Sequence, residues 1–117
     1  MIDDRLLAEK LQRFSTDRDW DQFHTPKNLA SALSVEASEL LEIFQWTRGQ
    51  HDFSEIDEDK NVRTHVEEEV ADILLYLIRF ASLAHIDLEQ VALKKMAQNA
   101  LKYPVIRSRG SDKKYNE

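Results

Sequence analysis

Apolar positions recur along this chain at helical spacing, in four stretches separated by polar segments. Leu6, Leu7, Leu11 and Phe14 share one side of a first helix expected from about Asp4 to Phe14. A polar run carrying Trp20, Phe23 and His24 follows, and Thr25-Pro26 then supplies an N-cap and a first-turn proline. The second helix should run from there to about Trp46 and stop before Gly49. Residues 48–61 are polar and acidic and predict a loop, with a short turn around Phe53 and Ile56. A third helix, the longest, is expected from about Val62 to Ala84. Its segment from Ile73 to Ile78 is apolar all the way round, which predicts burial on every side. Asp87 to Gln90 resembles a capping box and opens a fourth helix carrying Val91, Met96 and Leu101, which Tyr103-Pro104 ends. An irregular tail is expected over about 104–117.

The reading is therefore all-α, a single domain over 1–117. Composition agrees: glycine and proline occur twice each, too rarely to punctuate a multi-stranded sheet, and Leu, Ala, Glu, Lys and Gln favour helices. A helix apolar on every side cannot be enclosed by so small a bundle alone, so self-association is expected. With no cysteine there is no disulfide framework, thiolate metal site or thiol nucleophile. No apolar run reaches the roughly 20 residues needed to span a bilayer, and Asp3-Asp4 does not open a secretory signal. A soluble cytoplasmic protein without a membrane role is expected. The net charge of −6 argues against polymeric nucleic acid as a partner, but not against a small anion bound through metal.

Acidic residues change the picture. Glu36 and Glu39, and Glu69 and Asp72, form two pairs at i, i+3 spacing, so each pair aims two carboxylates the same way. Leu29, Leu33, Glu36, Leu40 and Ile43 follow one another at steps of four and three, so Glu36 interrupts a core-facing seam. Glu69, Asp72 and Tyr76 form a stripe beside the seam of Val66, Val70, Ile73 and Leu77. Carboxylates converging from two packed helices need neutralisation, and a hard divalent cation provides it. Solvated helix faces and buried ion pairs are the plainer readings. No Glu-x-x-His motif of the di-iron type exists here, and the pairs hold no nitrogen or sulfur ligand for zinc. All-oxygen ligation leaves Mg²⁺, with Mn²⁺ as a substitute, and this suits phosphoanhydride hydrolysis.

Trp20, Phe23, His24, Trp46 and Tyr76 are candidate walls for a flat heterocycle, although each alone also fits core or interface packing. Lys95 and Asn99, with Lys102 and Tyr103 a turn later, have the spacing to grip a triphosphate or to form ordinary helix surface. Basic residues between Lys102 and Lys114 face only Asp112 in opposition, the pattern of a solvated tail or of an anion-neutralising one.

The stretches Asp19-Trp20-Asp21-Gln22-Phe23-His24, Glu36 to Trp46, and Glu68-Glu69-x-x-Asp72-Ile73-Leu74-x-Tyr76-Leu77 resemble the MazG-like nucleotide pyrophosphohydrolases. With His85-Ile86-Asp87-Leu88, Lys95-Met96, Asn99, Tyr103-Pro104-Val105 and Ser108-Arg109-Gly110, the likeness is to the dCTP pyrophosphatase branch and covers about residues 18 to 115. The resemblance implies an antiparallel four-helix bundle assembled as a homo-oligomer, a dimer or a dimer of dimers. It implies hydrolysis of a nucleoside triphosphate, dCTP or a modified dCTP foremost, to the monophosphate and pyrophosphate, in nucleotide-pool sanitation. Mg²⁺ would be held by Glu36, Glu39, Glu69 and Asp72. The base pocket would involve Trp20, His24, Trp46 and Tyr76. Lys95, Asn99 and Tyr103 would contact phosphates or complete the pocket of a neighbouring chain. This chain departs from many MazG-like sequences in having Val35-Glu36 where they have two adjacent glutamates.

Glu36 is the expected base or water-orienting group, because its seam position raises its pKa without metal, while bound metal lowers it again. A broad-range NTP or dUTP hydrolase of the same superfamily would share the acidic pairs but not the base pocket. A non-catalytic acidic bundle that binds a protein partner would need neither.

Overall fold

The computed structural model describes residues 1–47, 49 and 52–114. Positions 48, 50 and 51 of the expected loop and 115–117 of the expected tail lie outside the described residues. The chain divides into two compact units, Met1–Ala84 and His85–Glu117. Both are helical, and no strand occurs among the described residues.

In the first unit, α1 spans Asp4–Asp17, with Asp3 capping it by accepting from Leu6 N at 3.0 Å. A 3₁₀ turn, Asp21–Phe23, leads to α2, Pro26–Ile43. Thr25 caps α2 through its hydroxyl, which accepts from Asn28 N at 3.1 Å, and Pro26 occupies the first turn. The one-turn α3, Ser54–Asp57, precedes the long α4, Lys60–Leu83. Asp59 caps α4 by accepting from Asn61 N and Val62 N, which starts the helix two residues before the expected Val62. The α2–α4 contact is the principal one, and α1 and α3 also pack on α4. Among the described residues, Leu29, Val66, Ile78 and Ala81 are the buried apolar ones.

Two expectations are corrected here. α1 continues past Phe14 to Asp17, because Ser15 is buried and its carbonyl accepts from Trp20 N at 2.9 Å. α2 stops at Ile43 instead of Trp46: Phe44 leaves helical geometry, and Thr47 closes a turn by donating from its hydroxyl to Phe44 O at 2.9 Å. Trp46 thus stands in a turn. Within the single chain the segment Ile73 to Ile78 is only partly covered, by α1, α2 and α3 on α4, and Leu77 remains 40 % exposed, the share expected to be left for self-association.

The second unit holds α5, Leu88–Lys102, and α6, Val105–Ser108. Asp87 caps α5 by accepting from Gln90 N at 3.0 Å, as the capping box predicts. The tail is not wholly irregular. Pro104 holds an extended backbone, and its carbonyl accepts from Arg107 N and Ser108 N at 3.0 Å, winding the single turn of α6.

Candidate active site

α2 and α4 carry the acidic pairs to one place. Ligand oxygens of Glu36, Glu69 and Asp72 all lie within 4.8 Å of one another. Glu69 is buried, Glu36 half-buried and Asp72 exposed, so the cluster reaches from the helix contact to the surface. Oε2 of Glu36 and Oε2 of Glu69 are buried and meet no hydrogen-bond donor. On the other side of Glu69, Oε1 lies 3.4 Å from His65 Nε2, one turn back on α4. Glu39 falls outside the tight group of three but close enough to act on both glutamates.

The electrostatics follow from that crowding. Glu36 is pushed up to about 7, first because Glu69 favours a proton shared between the two carboxyls, then by burial, and then by Glu39 and Asp72. For Glu69 the hydrogen bond with Glu36 acts downward, but burial and the fields of Glu39 and Asp72 outweigh it, so it too is raised. Tyr76 is raised by burial and by the negative fields of Glu36, Asp72 and Glu39, which keeps its phenol protonated as a donor. Buried carboxylate oxygens without donors cost free energy unless they share a proton or meet a cation. Hard oxygen donors at this spacing fit a divalent ion, and the cluster has the geometry to hold one.

Beside the carboxylates lies a cleft of about 490 Å³ that Asp72 shares with Trp20, His24 and Tyr76. Three of the five residues expected around a heterocycle thus line one cavity that borders the acidic cluster, and Phe23 is not among its lining residues. Phe14 stands edge-on to Trp20 at 5.7 Å and holds that indole from α1. Trp46 is not among the lining residues and is 90 % exposed. Lys95 and Asn99 belong to the second unit, one turn apart on α5, and Tyr103 is the C-cap residue, its N–H donating to Asn99 O at 2.8 Å.

Two residues escape the sequence reasoning. His65 is visible only as the position four before Glu69. Arg79 is visible as the one charge within the otherwise apolar or small stretch Ile73 to Ala81, three residues after Tyr76. It is buried, and its guanidinium ties α4 to α1 and to the 3₁₀ segment, donating to Gln12, Asp21 and His24.

Comparison with known proteins bears on this geometry. The model of the MazG-like family matches residues 31–117. Mouse dCTP pyrophosphatase 1 is 42 % identical over 113 residues, covering 97 % of this chain and 64 % of that protein. Human dCTP pyrophosphatase 1 is 39 % identical over 117 residues, with the same coverage of 97 % and 64 %. The chain spans a little under two thirds of the length of these curated relatives. A pyrophosphatase from Archaeoglobus fulgidus superposes with a TM-score of 0.73 at 42 % identity, covering 86 % of this chain and 91 % of that one.

Proposed function

Because this chain belongs to the MazG-like family, we propose that it is a Mg²⁺-dependent nucleoside triphosphate pyrophosphohydrolase converting dCTP or a modified dCTP to the monophosphate and pyrophosphate. The observation that carries the proposal is the meeting of Glu36, Glu69 and Asp72 within 4.8 Å, with two buried carboxylate oxygens lacking donors, at the edge of an aromatic cleft. Relatives named dCTP pyrophosphatase support the substrate class.

In this reading Glu36, Glu69 and Asp72, with Glu39 beside them, hold the metal. Mg²⁺, for which Mn²⁺ substitutes, supplies stabilisation of negative charge on the reacting phosphates when bound. Glu36 accepts a proton from, or orients, the water that attacks phosphorus at the α–β anhydride. The P–O bond to the β-phosphate breaks and pyrophosphate leaves. Trp20, His24 and Tyr76 enclose the base, stacking being worth about 1–3 kcal/mol. Trp46 is assigned to the base as well, and Lys95, Asn99 and Tyr103 to the phosphates or to completing the pocket of a neighbouring chain. The half-exposed Val70 and Leu77 on α4 support a homo-oligomer, a dimer or a dimer of dimers. The role is cytoplasmic clearance of unwanted nucleotides.

The test is a panel of dNTPs and NTPs with Mg²⁺, with pyrophosphate and orthophosphate measured separately. Pyrophosphate with the monophosphate is expected, fastest from dCTP. Orthophosphate with the diphosphate would place the cut at the wrong bond, and equal rates across bases would favour a broad-range hydrolase.

A further inference from the structure

Arg79 occupies a costly position, a cation only 3 % exposed within an apolar stretch of α4. Its Nη1 donates to Gln12 Oε1 at 2.7 Å, and its Nη2 to Asp21 Oδ1 at 3.0 Å and Ser15 Oγ at 3.4 Å. The remaining arm, Nε, donates to His24 Nδ1 at 3.0 Å. This last bond has a consequence for His24. A guanidinium has only donors and does not lose its proton in a protein, so the atom facing it must accept. Nδ1 of His24 therefore carries no hydrogen, and the ring's single proton sits on Nε2.

The other neighbour of Nδ1 does not reverse this. Ser15 Oγ lies 3.4 Å away, but its hydrogen is directed to Asp21 Oδ1. Burial and the Arg79 charge lower the His24 pKa against the weaker opposing pull of Asp21, so the ring stays neutral. Nε2 diverges from Nδ1 across the ring and has no hydrogen-bond partner among the described residues. His24 lines the 490 Å³ cleft with Trp20 and Tyr76.

We infer that Arg79 is a positioning residue that locks His24 as the Nε2–H tautomer, so that the cleft offers a bound base a fixed hydrogen-bond donor. The inference rests on the reading of this cleft as a nucleobase pocket. A histidine free to change tautomer would serve a donor or an acceptor; a locked one accepts only ligands whose facing edge carries an acceptor. Cytosine presents two adjacent acceptors, N3 and O2, where uracil and thymine present the N3–H donor beside O2. A donor placed against a donor leaves both unpaired, a larger penalty than a merely absent contact. Arg79, itself on the wall of the cleft, thereby fixes His24 as a donor that, set against position 3 of the ring, favours cytosine over uracil or thymine.

The test joins a spectroscopic and a kinetic measurement on the full chain. Long-range ¹H–¹⁵N ring spectra, with the His24 signals assigned by loss in His24→Asn, should show a protonated Nε2 and an unprotonated Nδ1 in the wild type. An Nδ1–H ring or an imidazolium at neutral pH would overturn the inference with no variant needed. Arg79→Met should show exchanging tautomers and raise KM for dCTP about tenfold with kcat changed less. Arg79→Lys, which keeps a donor without an acceptor, should restore the tautomer and most of the affinity. An unchanged KM in a folded Arg79→Met, or a failure of lysine to restore either property, would overturn it. The two failures separate: a wild type that turns over no nucleotide sinks the pocket reading, whereas an active enzyme with an Nδ1–H His24 sinks this inference alone.

Discussion

Glu36 and Glu69 meet across the α2–α4 contact, and each keeps its Oε2 buried and without a donor. Two carboxylates so placed cannot both hold full charge at little cost. They share a proton, or they share a cation. Which one governs depends on pH and on metal, and both can be varied independently.

Without metal, stability should fall as pH rises. Glu36 is raised from 4.5 to about 7 in the folded chain, so between those values the folded state binds more protons than the unfolded one. The stabilisation is complete below the unfolded value and lost as pH rises through the folded one. Urea melts in chelator should show this decline between pH 5 and 8. Mg²⁺ should reverse it at pH 8, by about 2.7 kcal/mol at a hundredfold excess over its Kd. At pH 5 it should do little, because protons already occupy the site. A pH 8 midpoint indifferent to Mg²⁺ would dismiss the metal site.

Glu36→Gln removes one of the facing charges with little change of shape. The metal-free variant should melt a few degrees higher than wild type at pH 8, since the repulsion is relieved without opening a cavity. Stabilisation by Mg²⁺ should largely vanish, and pyrophosphate release should drop by at least about a hundredfold. A variant that is less stable without metal would show that the carboxylate pair is favourable as it stands.

The site's acidic core is legible in the sequence because helical phase is a local property. Glu36 interrupts a leucine seam, and Glu69 and Asp72 share a stripe, so packing α2 on α4 is enough to unite them. Caps are legible for the same reason: Thr25 and Asp87 act on backbone N–H groups three residues away. Arg79 is different. Its partners Gln12 and His24 stand 67 and 55 positions away, and no spacing along the chain reveals them. The early end of α2 also escapes reading, because no glycine or proline lies between Phe44 and Thr47 to mark it. Partial exposure of Leu77 on the apolar stretch shows the limit of pattern reading, which tells how apolar a face is but not which partner covers it.

Trp46 separates fold from function. At 90 % exposed it contributes little to the first unit, so Trp46→Ala should change unfolding free energy by less than about 0.5 kcal/mol. If its indole stacks on the base, KM for dCTP should rise about tenfold. Equal KM for variant and wild type would remove it from the pocket and leave Trp20 as the aromatic wall.

His85 follows the C-cap of α4 with φ 57, in the left-handed region where glycine is at ease and a side chain is not. His85→Gly should therefore stabilise the chain, by about 0.5–1 kcal/mol after the entropy glycine loses on folding. Chemical denaturation measures it directly. A loss of stability would mean that the imidazole makes a contact worth more than the backbone strain.

Val70 and Leu77 stand two turns apart on α4, 50 % and 40 % exposed, and Leu74 between them is half-buried. An apolar stripe on the same helix that supplies Glu69 and Asp72 is expected to pair with another copy, which also steadies the site. Sedimentation should then give twice 13.7 kDa or a higher multiple of it for the wild type. Leu77→Glu puts a charge where a partner would have to bury it, and should raise the dissociation constant by at least about tenfold. Since Leu77 is not among the residues lining the cleft, the variant should keep its helical content while activity falls with dilution. A wild type that sediments as a single chain at working concentration would end the oligomer proposal, and Lys95, Asn99 and Tyr103 would lose their assignment to a neighbour's pocket.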